Sequence, residues 1–145
     1  MQRIERSARI PAPPAEVFAY LADLDNLPDW QSGVLSVERL SDGEIAVGAT
    51  VRVVRQVMGQ RIEAPLTVSE YDPPRRIVID SEVSGVKAIG ELDLSPATDD
   101  ATDLRFAMEI RGSGFTSFME PMIAGAAGGD IDASLERLQD RFTDA

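Results

Sequence analysis

The chain of 145 residues contains no cysteine and no histidine. Without cysteine it forms no disulfide and offers no thiolate to a metal ion or a substrate. Without histidine it lacks the side chain that most often acts as a general base or binds a transition metal. We therefore expect no metal site and no cofactor. The sequence also lacks the common nucleotide-binding and hydrolase motifs, so it assigns no catalytic residue.

Long hydrophobic runs and an excess of basic residues are also missing. No apolar segment approaches the ~20 residues that span a membrane. Residues 1–10 lack the apolar centre of a signal peptide, which predicts a cytoplasmic location. The formal net charge is −11, so phosphate groups would repel the protein, and neither nucleic acid nor an anionic membrane is an expected partner. Length and composition predict one domain over residues 1–145, and they leave the oligomeric state open.

Alternating apolar residues and short turn signals predict seven antiparallel strands. The predicted strands are 1–10, 34–40, 50–57, 60–71, 76–83, 87–94 and 102–111. Because the connections are short, we expect a meander in which each strand pairs with the next. Between the first two strands, Val17, Phe18 and Leu21 mark one face of a short helix, and Asn26 with Pro28 marks a second helical turn.

The C-terminal part of the sequence predicts one long amphipathic helix over residues 115–142, roughly 40 Å in length. Its apolar stripe is Ile131, Leu135, Leu138 and Phe142. Gly125, Gly128 and Gly129 weaken the middle of this helix, since each glycine costs about 1 kcal/mol relative to alanine. We favour a continuous helix that bends there, with a break at Gly128–Gly129 as the alternative. The helix and the sheet must then bury each other's apolar faces.

A predicted two-residue turn at Met58–Gly59 fixes the register of its hairpin. Arg55 then faces Ile62, and both side chains point to the helix side of the sheet. The same reasoning pairs Tyr71 with Arg76 and places Tyr71 on the outer side. The other residues predicted to point inward are Val51, Val53, Ala64, Leu66, Val68, Ile77, Ile79, Ser81, Val83, Leu104, Phe106, Met108, Ile110 and, on the first strand, Arg6.

Arg55 is the chemically notable residue on this otherwise aliphatic face, because a buried guanidinium without a partner is costly. Two interpretations are open. Arg55 forms an ion pair with a helix carboxylate such as Glu120 or Asp130, or sits at a wet rim. Alternatively, it anchors an acidic or phenolic group of a mostly apolar ligand. Trp30, the one tryptophan, either plugs an end of the core or lines such a pocket.

Three segments carry a resemblance to a known family. They are IPAPPAEVFAYLADLDNLPDW at 10–30, VSEYDPP at 68–74 and LERL at 135–138. Together they resemble the START-like, Bet v 1-like superfamily (SRPBCC), in its branch of polyketide cyclase/dehydrase and lipid-transport proteins. The fold that the resemblance implies is the α+β helix-grip: a curved seven-stranded antiparallel sheet around a long C-terminal helix, with two short helices after the first strand.

For function, the resemblance implies a cavity for an apolar small molecule, such as a lipid or a polyketide-like compound. We favour a non-enzymatic binding protein. The alternative is a cyclase or dehydratase in which Arg55 stabilises an enolate and a pocket carboxylate or Tyr71 moves protons; a partner-binding adaptor is a third possibility. The candidate ligand-binding residues are Trp30, Arg55, Ile62, Leu66, Ser81, Phe106, Met108, Phe115, Met119, Met122 and Ile123.

Overall fold

The computed structural model describes residues 2–57, 59–83, 85–112 and 120–143, with the backbone alone at Val57 and Glu120. A curved seven-stranded antiparallel sheet packs against a long C-terminal helix, and two short helices follow the first strand. The elements are β1 Gln2–Ile10, α1 Pro14–Ala22, α2 Leu27–Trp30, β2 Val34–Arg39, β3 Thr50–Val57, β4 Gln60–Asp72, β5 Arg76–Val83, β6 Val86–Thr98, β7 Ala101–Gly112 and α3 Glu120–Thr143. This arrangement confirms the predicted α+β helix-grip fold.

The order of strands differs from the predicted meander at one point. Strands β2 to β7 follow one another, but β1 pairs with β7 and not with β2, so the order is β1-β7-β6-β5-β4-β3-β2. The helices α1 and α2 carry the chain from one edge of the sheet to the other. The meander prediction was wrong for β1 because a strand followed by helices is free to pair elsewhere, whereas a tight turn forces neighbours to pair.

The hairpin of β3 and β4 has the predicted register. Arg55 pairs with Ile62 and Val57 with Gln60. Gly59 adopts a positive φ of 81°, a conformation that favours glycine and allows so short a turn. Alternation along β3 therefore places Arg55 on the same side of the sheet as the fully buried Val53.

The pairing of β4 with β5 was predicted incorrectly at its turn end. Val68 pairs with Ile79 as expected, but a β-bulge between Val68 and Glu70 shifts the register by one residue. Tyr71 consequently pairs with Ile77 and not with Arg76. Because a one-residue shift reverses the face of every later side chain, Tyr71 turns toward the core. Its ring lies 5.6 Å from the ring of Phe18 on α1.

Helix α3 is continuous over its 24 described residues and passes through Gly125, Gly128 and Gly129 without a break. Its C-terminal half closes the core, with Ile131, Leu135 and Leu138 buried. The part of the predicted helix at 115–119 lies outside the described residues. None of the described helices is long and apolar enough to cross a membrane.

Candidate functional site: a cavity between the sheet and the C-terminal helix

A cavity of about 350 Å³ lies between the inner face of the sheet and helix α3. This volume is at the lower end of the ~300–1,000 Å³ typical of small-molecule pockets. Its floor is formed by side chains of β3 to β7, which include Leu66, Ile79, Val83, Leu92, Phe106 and Ile110. Leu21 of α1 and Leu27 of α2 close one end. Most of the lining is apolar, which suits a hydrophobic occupant.

The roof of the cavity is built from small side chains on one face of α3. Ile123, Ala126, Ala127 and Asp130 line it, with the i, i+3, i+4, i+7 spacing of a single helical face. On the floor, Gly90 and Ala88 of β6 contribute almost no volume. A Cβ atom at Gly90 would meet only the Ile79 carbonyl oxygen, at 3.9 Å. Small residues above and below thus keep the space between helix and sheet open.

Most of the predicted ligand-binding residues come together around this cavity. Those that line it are Trp30, Arg55, Ile62, Leu66, Ser81, Phe106, Met108 and Ile123. Phe115 and Met119 lie outside the described residues. Whether any of these residues binds a ligand stays a prediction.

Met122 does not line the cavity, and its predicted position was wrong. It is 60% exposed. One residue of helix turns a side chain by about 100°, so Met122 points away when Ile123 points in. Gly125 and Gly129, three and seven residues further on, share the exposed side of the helix with Met122. This rotation could not be predicted from the apolar pattern, because the apolar stripe changes phase at the glycines.

Arg55 projects into the cavity from β3 and is the cation of this site. Its guanidinium makes no hydrogen bond and no ion pair within the described part of the chain. Burial lowers the pKa of Arg55, and the nearby charge of Asp130 raises it by less. An arginine nevertheless remains charged in a protein, so the cavity holds a positive group with unused donors.

Asp130 is the carboxylate that shares the cavity with Arg55. It attracts Arg55 electrostatically without reaching ion-pair distance, so the predicted direct pair does not form. Instead, the Ser32 hydroxyl donates a hydrogen bond to Asp130 Oδ1 at 3.4 Å. The Ser32 backbone N–H also donates to the Ser134 hydroxyl at 2.8 Å. These bonds fix the middle of α3 to the turn that follows α2.

Arg6, the other arginine predicted to face inward, belongs to the rim. Its Nε donates to Asp132 Oδ1 of α3 at 3.1 Å, and its side chain is about half exposed. Asp132 thus links α3 to β1 through an exposed ion pair. Tyr71 is partly buried against Phe18 of α1 and is not among the residues that line the cavity.

Gln31, at the C-terminal end of α2, is a cavity residue that the sequence analysis missed. It lines the cavity and is 9% exposed, yet its side-chain amide makes no hydrogen bond to the described residues. Beside it, the indole N–H of Trp30 is buried without an acceptor. The Trp30 ring itself is held against Phe106, with ring centroids 6.1 Å apart. Nothing in the local sequence predicts that the residue after Trp30 turns inward.

The outer face of the sheet has the opposite character. A shallow groove there is lined by Arg9, Arg75, Arg76 and Arg105, and each of these arginines meets a carboxylate. Arg76 contacts Glu70, Glu91 and Asp93 at 3.1, 3.1 and 2.8 Å. The cations of this groove are already neutralised. The inner cavity is therefore the better candidate for a binding site.

The sheet, the terminal helix and the cavity between them define a protein of the START-like class. The chain belongs to the family described as polyketide cyclase / dehydrase and lipid transport, whose model matches residues 1–143. This confirms the resemblance noted in the sequence.

Individual relatives are distant in sequence. The chain is 24% identical over 147 residues to the uncharacterized protein Rv1546 of Mycobacterium tuberculosis, with 98% of this chain and 99% of that protein covered. Its fold is similar to that of a START superfamily protein from Mycobacterium smegmatis, with a TM-score of 0.82, 14% identity and 97% of each chain covered. The Zhui aromatase/cyclase from Streptomyces sp. R1128 also has a TM-score of 0.82, with 20% identity and coverage of 98% and 93%. Likeness at this level shows a shared fold.

Proposed function

We propose that the protein binds a hydrophobic small molecule, lipid-like or polyketide-like, in the cavity between sheet and helix. The ligand carries an acidic or phenolic group that Arg55 anchors. The single observation that carries this proposal is that the guanidinium of Arg55 lines a mostly apolar cavity and makes no hydrogen bond or ion pair to the described residues. A buried cation without an ion-pair partner is unfavourable for folding, and an anionic or phenolic oxygen would relieve it.

The remaining contacts fit such a ligand. Apolar walls from the four strands β4 to β7 would bury the body of the molecule, and the adaptable Met108 side chain lies among them. The volume of about 350 Å³ favours a compact or single-chain molecule over a two-chain phospholipid.

Binding of decanoic acid and decanol, measured by titration calorimetry at pH 7, tests the proposal. Arg55→Leu should weaken decanoate binding about tenfold or more, since a hydrogen bond to a charged group contributes about 1.5–3 kcal/mol. Decanol binding should be unchanged, because the apolar walls remain. Native mass spectrometry of the purified protein should also show a small apolar molecule that co-purifies.

Arg52→Leu is the matched control. Arg52 is on the same strand but faces outward, where it lies 3.9 Å from Glu38. It should leave the affinity for both ligands unchanged. If Arg55→Leu and Arg52→Leu have equal effects on decanoate, Arg55 is not an anchor. If the wild-type protein binds neither compound and nothing co-purifies, the binding function itself is wrong.

A second candidate is a cyclase- or dehydratase-type enzyme, favoured by the presence of Asp130 in the same cavity as Arg55. Asp130 would accept a proton from a carbon next to a carbonyl, and Arg55 would stabilise the enolate oxygen that forms. The similarity to the Zhui aromatase/cyclase is compatible with such a role. Tyr71 is set aside, because its ring packs on Phe18.

Deuterium exchange into the methyl group of 2-acetylnaphthalene in D₂O, followed by proton NMR, tests the enzyme. Exchange needs only that a C–H bond breaks, the proton passes to Asp130 and a deuteron returns. Wild type should exceed the buffer rate, and Asp130→Asn and Arg55→Leu should fall to it. Asp132→Asn, on the rim, is the control. A wild-type rate equal to that of buffer argues for binding alone.

The location, the domain organisation and the partners of the protein are also proposals. We propose that the protein acts in the cytoplasm as one domain over 1–145, without a nucleic-acid partner. The net charge of −11 supports the last point, because it repels phosphate.

A further inference from the structure

The two edge strands of the sheet, β1 and β2, differ in how they are protected. Charged side chains are frequent on β1, and two of its carbonyl oxygens accept hydrogen bonds from side chains. Arg6 Nη1 donates to the Glu5 carbonyl oxygen at 3.0 Å, and Gln139 Nε2 donates to the Arg9 carbonyl oxygen at 3.2 Å. Charged side chains are one means by which a protein keeps an edge strand from pairing with another chain. Strand β2 has less of this protection.

Exposed apolar side chains are concentrated on β2 and in the loop after it. Leu35, Leu40 and Val47 are 43%, 46% and 64% exposed. They are three of the four large hydrophobic residues that are exposed in the described part of the chain. Single exposed apolar residues are normal, but a group of them at one sheet edge indicates an interaction surface.

The backbone of β2 presents hydrogen-bonding groups on its free side. The Leu40 N–H donates to the Thr50 carbonyl oxygen of β3 at 2.9 Å. Because bonded and non-bonded pairs alternate in an antiparallel ladder, the N–H and C=O groups of Val37 and Arg39 point away from β3. No described segment pairs with that side of β2. The β-bulge of this ladder lies before residue 36, so residues 36–39 continue regularly.

We propose that β2 pairs with β2 of a second copy of this chain, antiparallel about a two-fold axis at Val37. The outward N–H and C=O groups of Val37 exchange hydrogen bonds with those of Val37 of the partner subunit. The two sheets then form one continuous sheet, and the apolar side chains of both edges lie beside each other.

Side-chain charge favours this register. Residues directly opposite each other share a face, so the Ser36 hydroxyl donates to the carboxylate of Glu38 of the partner subunit. Glu38 is available for this bond, since its side chain is 69% exposed and its ion pair with Arg52 is 3.9 Å long. An axis at Glu38 would instead place two carboxylates opposite each other, which is unfavourable.

A second copy is the occupant that this edge fits, because pairing of β2 with itself is closed. Pairing of β2 with β1 of another copy would continue without end, and the charged side chains of β1 oppose it. The strand has six residues and is about 20 Å long. So small an interface forms a reversible dimer, with a dissociation constant on the order of 100 µM.

Sedimentation equilibrium of the full chain at about 10 to 500 µM tests the proposal. Wild type should show a reversible equilibrium between monomer and dimer. Raising the NaCl concentration from about 50 mM to about 500 mM should lower the dissociation constant about threefold or more, because salt screens the repulsion between two chains of net charge −11. A dissociation constant that rises with salt would contradict pairing between like-charged copies.

Ser36→Lys and Ser36→Glu test the register. Ser36→Lys places an ammonium group opposite Glu38 of the partner subunit, and should lower the dissociation constant about two- to tenfold through two symmetry-related pairs. Ser36→Glu should raise it by a similar factor. Ser95→Lys and Ser95→Glu are the matched controls, because they make the same charge changes at an exposed position of β6. Equal effects at positions 36 and 95 would overturn the proposal.

Leu35→Lys tests the apolar part of the edge. A lysine on an edge strand opposes pairing, so the dissociation constant should rise about tenfold or more. Met122→Lys is the matched control, because Met122 is exposed on α3 and undergoes the same change of charge. A dimer that both substitutions weaken equally uses a surface other than β2.

Cross-linking gives a second measurement that does not depend on tight association. The chain has no cysteine, so a mixture of Ser36→Cys and Glu38→Cys proteins reports one pairing. Opposite residues of a non-bonded pair have Cα atoms about 4.5 Å apart, which suits a disulfide. With oxidised glutathione, peptide mass spectrometry should find mainly the disulfide between positions 36 and 38. A disulfide mainly between two copies of position 38 would overturn the register.

A wild-type protein that stays monomeric at every concentration and forms no 36–38 disulfide would overturn the proposal. None of these results bears on the proposed binding function, because that function uses the inner cavity and not the β2 edge.

Discussion

The two faces of the sheet treat arginine in opposite ways. On the outer face, Arg76 contacts three carboxylates and Arg105 contacts Asp93 and Glu5. On the inner face, Arg55 has no direct partner among the described residues and is set among aliphatic side chains. A charge that the protein neutralises itself supports the fold, whereas a charge that it leaves unsatisfied is available to another molecule. The candidate binding site is therefore indicated by whether an arginine is paired, and not by how much charge a face carries.

Filling the inner side should have the largest effect on binding. Ala127→Phe places a ring in the space under α3, and we expect decanol affinity to fall about a hundredfold, or about 2.7 kcal/mol. A ring inserted into a packed core costs about 1–3 kcal/mol of stability, but in a cavity it should cost less than 1 kcal/mol. Calorimetry and urea unfolding measure the two effects. Glu136→Phe, on the exposed side of α3, should leave binding intact.

Removing a paired arginine should weaken the fold next most strongly. Arg76→Met leaves Glu91 and Asp93 with fewer partners, and we expect a loss of about 2 kcal/mol in the free energy of unfolding. The loss is below the 3–5 kcal/mol of a fully buried pair because the Arg76 side chain is 29% exposed. Arg52→Met, whose one contact to Glu38 is 3.9 Å long, should change stability by less than about 0.5 kcal/mol. Equal losses at both positions would contradict the role given to Arg76.

Replacing the arginine of the inner face by methionine should raise the free energy of unfolding, whereas Arg76→Met lowers it. Arg55→Met removes a buried cation that has no direct partner in the described ranges of the chain, so the empty protein should gain about 1 kcal/mol. The gain appears in urea unfolding as a higher midpoint with an unchanged m-value. A loss as large as that of Arg76→Met would show that Arg55 supports the fold, and the contrast between the faces would disappear.

Acid should affect the outer face selectively. Burial raises the pKa of Glu91, but hydrogen bonds from Arg3 and Arg76 outweigh burial, so the pKa is lowered. The pKa of Asp93 is lowered in the same way, by hydrogen bonds from Arg76 and Arg105. A carboxyl whose folded pKa lies below the unfolded value of about 4 stabilises the protein above that pH. This stability is lost as the pH falls through the folded pKa.

Melting curves between pH 8 and pH 3 check this prediction. Tm should be nearly constant from pH 8 to about 6, because the chain has no histidine to titrate there. Below about pH 5, Tm should fall, and Arg76→Met should flatten that fall because it removes the partner that lowers both pKa values. An equally steep fall in the variant would assign the acid sensitivity to other carboxylates.

The sequence predicted those parts of the fold that depend on local rules. A two-residue turn at a glycine fixes the register of β3 and β4, and this register alone predicts that Arg55 lies on the inner face. The bulge after Val68 follows no such rule, so Tyr71 was assigned to the wrong face. β1 was also placed wrongly, because pairing at a sheet edge is decided by tertiary packing.

The candidate site could be predicted only in part for the same reason. Strand residues such as Ile62 and Phe106 follow the period of two and were placed at the cavity correctly. Gln31 and Asp130 depend on how the turn after α2 meets α3, through the bonds from Ser32. Met122 depends on the rotation of the helix. None of these is encoded in a short stretch of sequence.

Gly128 lies beside the first strand, at ordinary contact distance. A Cβ atom there would lie 3.6 Å from Arg6 Nη2 and 3.9 Å from Ile4 Cγ2, whereas the same atom at Gly129 would meet nothing within 4 Å. A residue bulkier than alanine at 128 would press on β1, and α3 would relieve this contact by moving away from the sheet. A substitution at Gly128, which does not line the cavity, could therefore widen the gap between α3 and the sheet. Such variants would have room for larger molecules.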